Sequence, residues 1–186
     1  PNLVYLAPTN REEYLAMLDW SLSYREHPVA IRVPVGVTLP ATRPVPTDYS
    51  ALNTYEVVER GKDVAILALG NFFSLGERVC RLLEAHGIRA TLINPRYISG
   101  VDCDLLDSLA TDHRLVVTLE DGALNGGFGE KIARHFGATG VKTLCYGAKK
   151  QFADRYAPQE FLAANRLVDT MIVEDIMKHS QGKFER

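Results

Sequence analysis

The chain has 186 residues, of which 46% are hydrophobic and 24% charged, and its 21 basic and 23 acidic residues give a net charge of −2. This length fits one domain, or one domain with part of another, and needs no disulfide or metal to bury a core. Basic residues form no run, which excludes a nucleic-acid-binding stripe. No apolar run approaches the roughly 20 residues that span a bilayer. The three cysteines form no CxxC pair, so we expect reduced thiols in a cytoplasmic protein.

The first 33 residues predict a strand, a helix and a second strand. Leu3 to Leu6 indicates a short buried strand, and a capping box at Thr9 to Glu12 predicts a helix that runs to about Arg25. We expect its apolar positions to face a core; they are Tyr14, Leu15, Leu18 and Leu22. Val29 to Val33 predicts the next strand, which should be parallel to the first because a crossover helix joins them.

Four prolines between residues 34 and 48 predict an extended connection. Beyond it, apolar strands alternate with helices. We expect strands at 55–59, 64–69, 90–93, 115–119 and 141–145. We expect helices from a second capping box at 74–77 to the stop at Gly87, and at 102–111, 127–135, 158–164 and 168–179. The pattern predicts an α/β fold with a three-layer, mostly parallel sheet. Residues 1–36 are predicted to end one domain, 37–53 to be a linker, 54–180 to form a complete domain and 181–186 a tail.

The most distinctive stretch is EDGALNGGFG at 120–129, at the carboxyl end of one predicted strand and the start of a helix. Ligands of α/β proteins tend to bind there, because loops and helix N-termini converge. The candidates for an anion-binding loop are Glu120, Asn125, Gly126 and Gly127. On the motif alone we favour the alternative, in which the glycines permit a tight turn and Phe128 anchors the helix.

Other residues give weaker signals. Arg32, near the carboxyl end of its strand, is a weak candidate for binding a phosphate, and a salt bridge to a neighbouring acid is favoured over that role. The five histidines stand apart from one another and are expected to lie on the surface or at helix ends. No metal site is predicted, because neither the histidines nor the 120–129 stretch has the spacing of a ligand set.

Three ordered motifs resemble the transketolase family of thiamine-diphosphate enzymes, and within it the 1-deoxy-D-xylulose-5-phosphate synthases. The motifs are PNLVYLAP at 1–8 with PVAIRVP at 28–34, NPRYISGVD at 94–102, and LEDGALNGGFG at 119–129. The resemblance covers nearly the whole chain. It implies that residues 1–36 are the end of a pyrimidine-binding domain and that 54–180 are the transketolase C-terminal domain.

The resemblance also implies a function for the complete protein. Such enzymes are homodimers that use thiamine diphosphate and magnesium to transfer a two-carbon unit between small-molecule substrates; in the synthase, an enzyme of isoprenoid biosynthesis, these are pyruvate and glyceraldehyde 3-phosphate. The family's catalytic glutamate, magnesium motif and ring-stacking aromatic would lie before Pro1. We therefore expect no catalytic residue in this stretch, and an inert chain without the missing N-terminal domains. The start at Pro1 rather than Met favours a trimmed or proteolysed polypeptide.

One departure from the family pattern leaves the acceptor substrate open. The family arginine that binds the substrate phosphate falls at Val35, an apolar residue. Either Arg32 or an upstream residue takes over this role, or the acceptor carries no phosphate. Two non-catalytic alternatives are an anion-binding module and a dimerisation module.

Overall fold

The computed structural model describes residues 2–33, 39–152 and 157–180. Its strands are β1 (Val4–Leu6), β2 (Val29–Ile31), β3 (Glu56–Glu59), β4 (Asp63–Ala68), β5 (Thr91–Asn94), β6 (His113–Ala123) and β7 (Lys142–Ala148). Its helices are α1 (Arg11–Ser23), α2 (Phe73–Ala85), α3 (Cys103–Leu109), α4 (Phe128–Phe136), α5 (Pro158–Ala164) and α6 (Asp169–Ser180). Among these, no helix is long and apolar enough to cross a membrane.

The larger sheet has five strands in the order β3-β5-β4-β6-β7. Strand β3 is antiparallel to β5, and the other neighbours are parallel. Alternate residues of β4 enter two separate cores, because successive side chains of a strand point to opposite faces. Ile66 packs with α2 and α6, and Leu67 packs with α3 and α4. Helices thus cover both faces, which confirms the predicted three-layer, mostly parallel α/β fold.

The N-terminal strand–helix–strand unit forms a second, two-stranded parallel sheet, as predicted, with Val4 opposite Val29. This unit packs directly on the larger domain. Leu6 forms a bridge with Tyr97, and the backbone amide of Ala7 donates to the carbonyl of Arg96 at 2.7 Å. A third core joins the unit to the 39–55 segment and to the end of β5; it contains Val4, Leu6, Met17, Trp20, Tyr49 and Tyr97.

The predicted inward face of α1 is wrong. Leu15, Leu18 and Leu22 are 52%, 37% and 66% exposed, whereas Met17 and Trp20 are buried. Both sets have helical spacing, so local periodicity does not distinguish them. The choice is made by Tyr49 and Tyr97, which are distant in sequence and pack against the side that carries Met17 and Trp20.

Capping predictions also need correction. Helix α1 begins one residue later than expected, with Asn10 accepting a hydrogen bond from the Glu13 amide at 2.9 Å. The second capping box is wrong: α2 starts at Phe73, after a 3-10 turn at Gly70–Phe72, and no side chain caps it.

Strand β6 extends beyond the predicted 115–119 at both ends. The other elements of this domain lie within a few residues of their predicted bounds.

Candidate functional site

The carboxyl ends of both sheets meet at one cleft. Ala7 follows β1, Arg32 follows β2, and the 69–71 turn follows β4. The cleft encloses a cavity of about 10 Å³ that is lined by Ala7, Arg32, Leu69, Gly70, Asn71 and Asp121. That volume holds about one water molecule. Ligands of open α/β sheets bind outside the carboxyl ends of strands, so this cleft is the candidate functional site.

Gly70 allows the two sheets to approach at this cleft. Its φ of +59° is a backbone conformation that residues with a Cβ atom rarely adopt. A Cβ atom at this position would also lie 3.3 Å from the Cβ of Ala7, closer than ordinary van der Waals contact. The turn after β4 is therefore held against the end of β1.

Arg32 and Asp121 face each other across the cleft. Nη2 of Arg32 lies 3.8 Å from Oδ2 of Asp121, and their side chains are 34% and 46% exposed. At this distance the two groups form an ion pair without a direct hydrogen bond. The salt bridge to a neighbouring acid, favoured for Arg32 on sequence, is what the structure contains.

Glu120, next to Asp121 on β6, points inward instead. It is 3% exposed. Its Oε2 accepts a hydrogen bond from the Phe128 amide and its Oε1 accepts one from the Gly129 amide, both at 2.8 Å. Burial raises the pKa of the Glu120 carboxyl, although these two amides and the charge of Arg32 act in the opposite direction. The carboxylate thus occupies the N-terminus of α4, where an anion is favoured.

The glycine turn is shaped around this carboxylate. A Cβ atom on Gly127 would lie 2.5 Å from Oε2 of Glu120, so only glycine fits there. Phe128 is 1% exposed and anchors α4 in the core, as the favoured interpretation predicts. Gly126 has a φ of +73° and, with Asn125, lies in the exposed turn.

The amide donors of this turn already have partners within the chain. The Gly126 amide donates to Oε2 of Glu130 at 2.8 Å, and the Gly127 amide donates to the Leu124 carbonyl at 2.9 Å. With Glu120 bonded to the next two amides, an external anion would have to displace carboxylates of the protein. The geometry therefore offers little support for an anion site formed by Glu120, Asn125, Gly126 and Gly127.

Magnesium diphosphate does not fit the described residues. In residues 2–33, 39–152 and 157–180, no three His, Cys, Asp or Glu side chains converge as a metal site would require. The oxygens of Glu120 are engaged with backbone amides, and Asp121 is paired with Arg32. The part of the cleft formed by described residues therefore has no ligand set for a magnesium ion.

Outside the cleft, the environment of His113 and the contact between Glu13 and Arg96 were not predicted from the sequence. His113 is buried, not on the surface, and its ring nitrogens lie 2.8 Å from Oγ1 of Thr91 and 2.6 Å from Oδ1 of Asp112. It lies at the start of β6, at the opposite end of the sheet from the cleft. The sequence also gave no indication of the buried contact between Glu13 and Arg96, because the two residues are far apart in the chain.

Comparisons with known proteins identify the family. The sequence model of the family described as "Transketolase, C-terminal domain" matches residues 53–167 of this chain. The chain is 33% identical over 184 residues to a 1-deoxy-D-xylulose-5-phosphate synthase of Gloeothece citriformis, a match that covers 96% of this chain and 28% of the relative. The same enzyme of Thermomicrobium roseum is 33% identical over 171 residues, covering 91% of this chain and 27% of the relative.

Solved structures agree with the fold. The chain superposes with a TM-score of 0.78 and 27% identity on a protein described as "Split gene transketolase, inactive beta4 tetramer", covering 96% of this chain and 58% of that one. A transketolase of Pichia stipitis superposes with a TM-score of 0.71 at 15% identity, covering 98% of this chain and 26% of that one, which bears on the fold alone. The chain spans less than a third of the length of the synthases it resembles. By the match of the family model over more than half of its length, it belongs to the transketolase C-terminal domain family.

Proposed function

We propose that the chain is the C-terminal part of a thiamine-diphosphate-dependent two-carbon transferase that joins pyruvate to glyceraldehyde 3-phosphate. The observation that carries this proposal is the extent of the match to the synthases, which covers 96% of the chain and so includes the N-terminal unit outside the family model. Both the unit with Arg32 and the domain with Asp121 therefore have counterparts in one enzyme.

The proposed domain organisation keeps the predicted boundaries: 1–36 from the pyrimidine-binding domain, 37–53 as linker, 54–180 as the C-terminal domain and 181–186 as a tail. The N-terminal unit has its own two-stranded sheet, separate from the five-stranded sheet of the larger domain, which supports this division. The described part of the linker, residues 39–53, is anchored by Tyr49, which is 2% exposed and donates its hydroxyl to the Pro46 carbonyl at 3.0 Å.

The remaining machinery would come from a completing region, by which we mean the part of the synthases' length that this chain does not span. Thiamine diphosphate and magnesium would be bound there, in keeping with the lack of a metal-ligand cluster among the described residues. This chain alone would bind neither and would be inert. The completing region and this chain, on one polypeptide or on two, make up what we call the assembled enzyme.

Exposed apolar surface on α1 supports docking of the completing region. Leu15, Leu18 and Leu22 lie on one side of the helix and are at least one-third exposed. Strand β2 pairs only with β1 among the described strands, and parallel sheets of two strands are not stable by themselves. A further strand beside β2 and apolar groups over the leucines would complete this domain. We also propose that the assembled enzyme is a homodimer in the cytoplasm, where the free thiols of Cys80, Cys103 and Cys145 would persist.

Within the assembled enzyme, Arg32 would contribute a positive charge to binding of the acceptor phosphate. It lies at the carboxyl end of β2 and lines the cleft. A guanidinium suits this role because it donates several hydrogen bonds and keeps its charge. Val35, where the family has arginine, lies outside the described residues.

A second candidate function is the same transfer to an unphosphorylated aldehyde. The observation in its favour is the apolar Val35 at the family's phosphate-binding position. A non-catalytic anion-binding module has less support, because the amides of the 126–129 turn already donate within the chain.

Calorimetry tests the proposal. We expect thiamine diphosphate with Mg²⁺ to bind the assembled enzyme and not this chain alone, and we expect pyruvate turnover only in the assembled enzyme. Binding of the cofactor by the isolated chain, or an assembled enzyme that leaves pyruvate unchanged, would contradict it. Phosphate and nucleotides serve as the control ligands for the anion-binding alternative.

A further inference from the structure

The inference concerns the carboxylate that faces Arg32, and it rests on the proposed function. Among the described residues, Asp121 is the only acid within ion-pair distance of Arg32. No hydrogen bond within the described chain holds the Arg32 side chain. A long, partly exposed arginine side chain has many rotamers, and a charged neighbour favours those that point toward it.

Glu120 is close to Arg32 but cannot orient it in the same way. Both of its oxygens accept hydrogen bonds from the backbone of α4. Glu120 is also nearly completely buried, whereas Asp121 extends toward the cleft that Arg32 lines. The two adjacent carboxylates of β6 therefore do different things: one holds α4, and the other faces the guanidinium.

The guanidinium retains room for a second anion. Its Nη2 faces Asp121 at 3.8 Å, which is too long for a hydrogen bond. Its Nη1 lies on the side of Gly122, where a Cβ atom would be 3.6 Å away. Glycine places no side chain at this position, and the Arg32 side chain as a whole is 34% exposed. A guanidinium has five N–H donors, so pairing with one carboxylate leaves several for a ligand.

We propose that Asp121 is a positioning residue for acceptor binding: it directs the Arg32 guanidinium into the cleft so that the Nη1 side meets the acceptor phosphate. The C-terminal domain thereby contributes to substrate selection without touching the cofactor. Asp121 acts through Arg32 and is not a catalytic residue.

The test uses steady-state kinetics of the assembled enzyme with pyruvate and glyceraldehyde 3-phosphate. Asp121→Asn keeps the shape of the side chain and removes its charge. We expect it to raise the KM for the phosphorylated acceptor about fivefold and to leave the KM for pyruvate and the kcat unchanged, since partly exposed ion pairs contribute modest free energy. Arg32→Gln should raise the same KM by about thirtyfold, as expected for loss of a charge-assisted hydrogen bond.

The double variant and two controls complete the test. Arg32→Gln with Asp121→Asn should be no worse than Arg32→Gln alone, because Asp121 acts only through Arg32. Asp121→Glu should restore part of the affinity, and Asp104→Asn, an exposed acid on α3, should change nothing. In a crystal structure of Asp121→Asn, the Arg32 guanidinium should leave the cleft.

Each other result overturns the inference. An unchanged KM in Asp121→Asn shows that the carboxylate does not position Arg32, and a lowered KM shows that it competes with the phosphate. A loss of kcat together with thermal stability would indicate a structural role only. If the wild-type assembled enzyme does not turn over pyruvate with any aldehyde, the proposed function fails first and the inference fails with it.

Discussion

The carboxylate of Glu13 lies 3.7 Å from Nε of Arg96 and links α1 to the end of β5. Glu13 is 1% exposed and also accepts hydrogen bonds from the Thr9 amide and the Asn94 side chain. Arg96 pairs in addition with Glu56 at 2.9 Å. One guanidinium thus lies between a carboxylate of the N-terminal unit and one of the larger domain, and buried charge fixes the two parts to each other.

Replacing Glu13 should separate these parts energetically. In Glu13→Gln an amide NH₂ group would face donors of Thr9 or Asn94, which leaves buried groups unsatisfied. We expect the free energy of unfolding to fall by about 2–3 kcal/mol. Chemical denaturation measures this, with Glu84→Gln, an exposed acid on α2, as the control that changes it by less than about 0.5 kcal/mol. Equal losses in the two variants would refute a stabilising role for Glu13.

Glycines of the chain should differ sharply in their tolerance to alanine. In Gly127→Ala the new methyl would lie 2.5 Å from Glu120 Oε2 and 2.6 Å from the Ala123 carbonyl oxygen, so the carboxylate must move off α4. We expect a loss of about 2–4 kcal/mol. Gly140, which has no atom within 4 Å of an added Cβ, is the matched control. Gly140→Ala should leave thermal stability unchanged or slightly higher; a tolerated Gly127→Ala would contradict the described turn.

Glu120 should make stability depend on pH with a defined sign. Burial raises the pKa of its carboxyl in the folded chain. A group whose pKa is higher in the folded than in the unfolded state favours folding most below the unfolded pKa, and this contribution is lost as pH rises through the folded pKa. The glutamine of Glu120→Gln does not titrate, so this variant is the reference. We expect the difference in unfolding free energy between the wild type and this variant to fall as pH rises from the unfolded to the folded pKa of Glu120. Denaturant titrations at a series of pH values measure it, and a difference that rises with pH would be evidence against the assigned burial effect.

The leucines of α1 should matter for assembly and not for folding of this chain. Leu18→Glu with Leu22→Glu places charge on exposed positions, so the chain's own thermal stability should change little. Docking of the completing region should be lost, because buried unpaired carboxylates strongly disfavour an interface. Sedimentation of this chain mixed with the completing region measures docking. Phe152 is fully exposed, so Phe152→Glu is the control that should still assemble. Assembly of the double variant at wild-type strength would place the docking surface elsewhere.

The sequence predicted the framework of the fold because its signals are local. The apolar run of β4 and the glycine stop of α2 at Gly87 each depend on neighbours within a few residues. The inward side of α1 was wrong because Tyr49 and Tyr97, distant in sequence, determine it.

The site was predicted only in part for the same reason. Arg32 and the 120–129 stretch were recognised separately, from a strand end and a glycine-rich turn. Their meeting at one cleft depends on how the two sheets pack. The Glu120 carboxylate accepts hydrogen bonds from the first two amides of α4, which keeps these donors from an outside anion. No spacing rule in the sequence reveals this interaction.

The most direct measurement is product identification after the assembled enzyme is supplied with pyruvate and glyceraldehyde 3-phosphate, with thiamine diphosphate and Mg²⁺ present. We predict 1-deoxy-D-xylulose 5-phosphate and carbon dioxide in equal amounts, and no product from this chain alone. Release of carbon dioxide with product only from unphosphorylated aldehydes would select the second candidate function. An assembled enzyme that forms no new carbon–carbon bond from pyruvate with any aldehyde would contradict the proposed function.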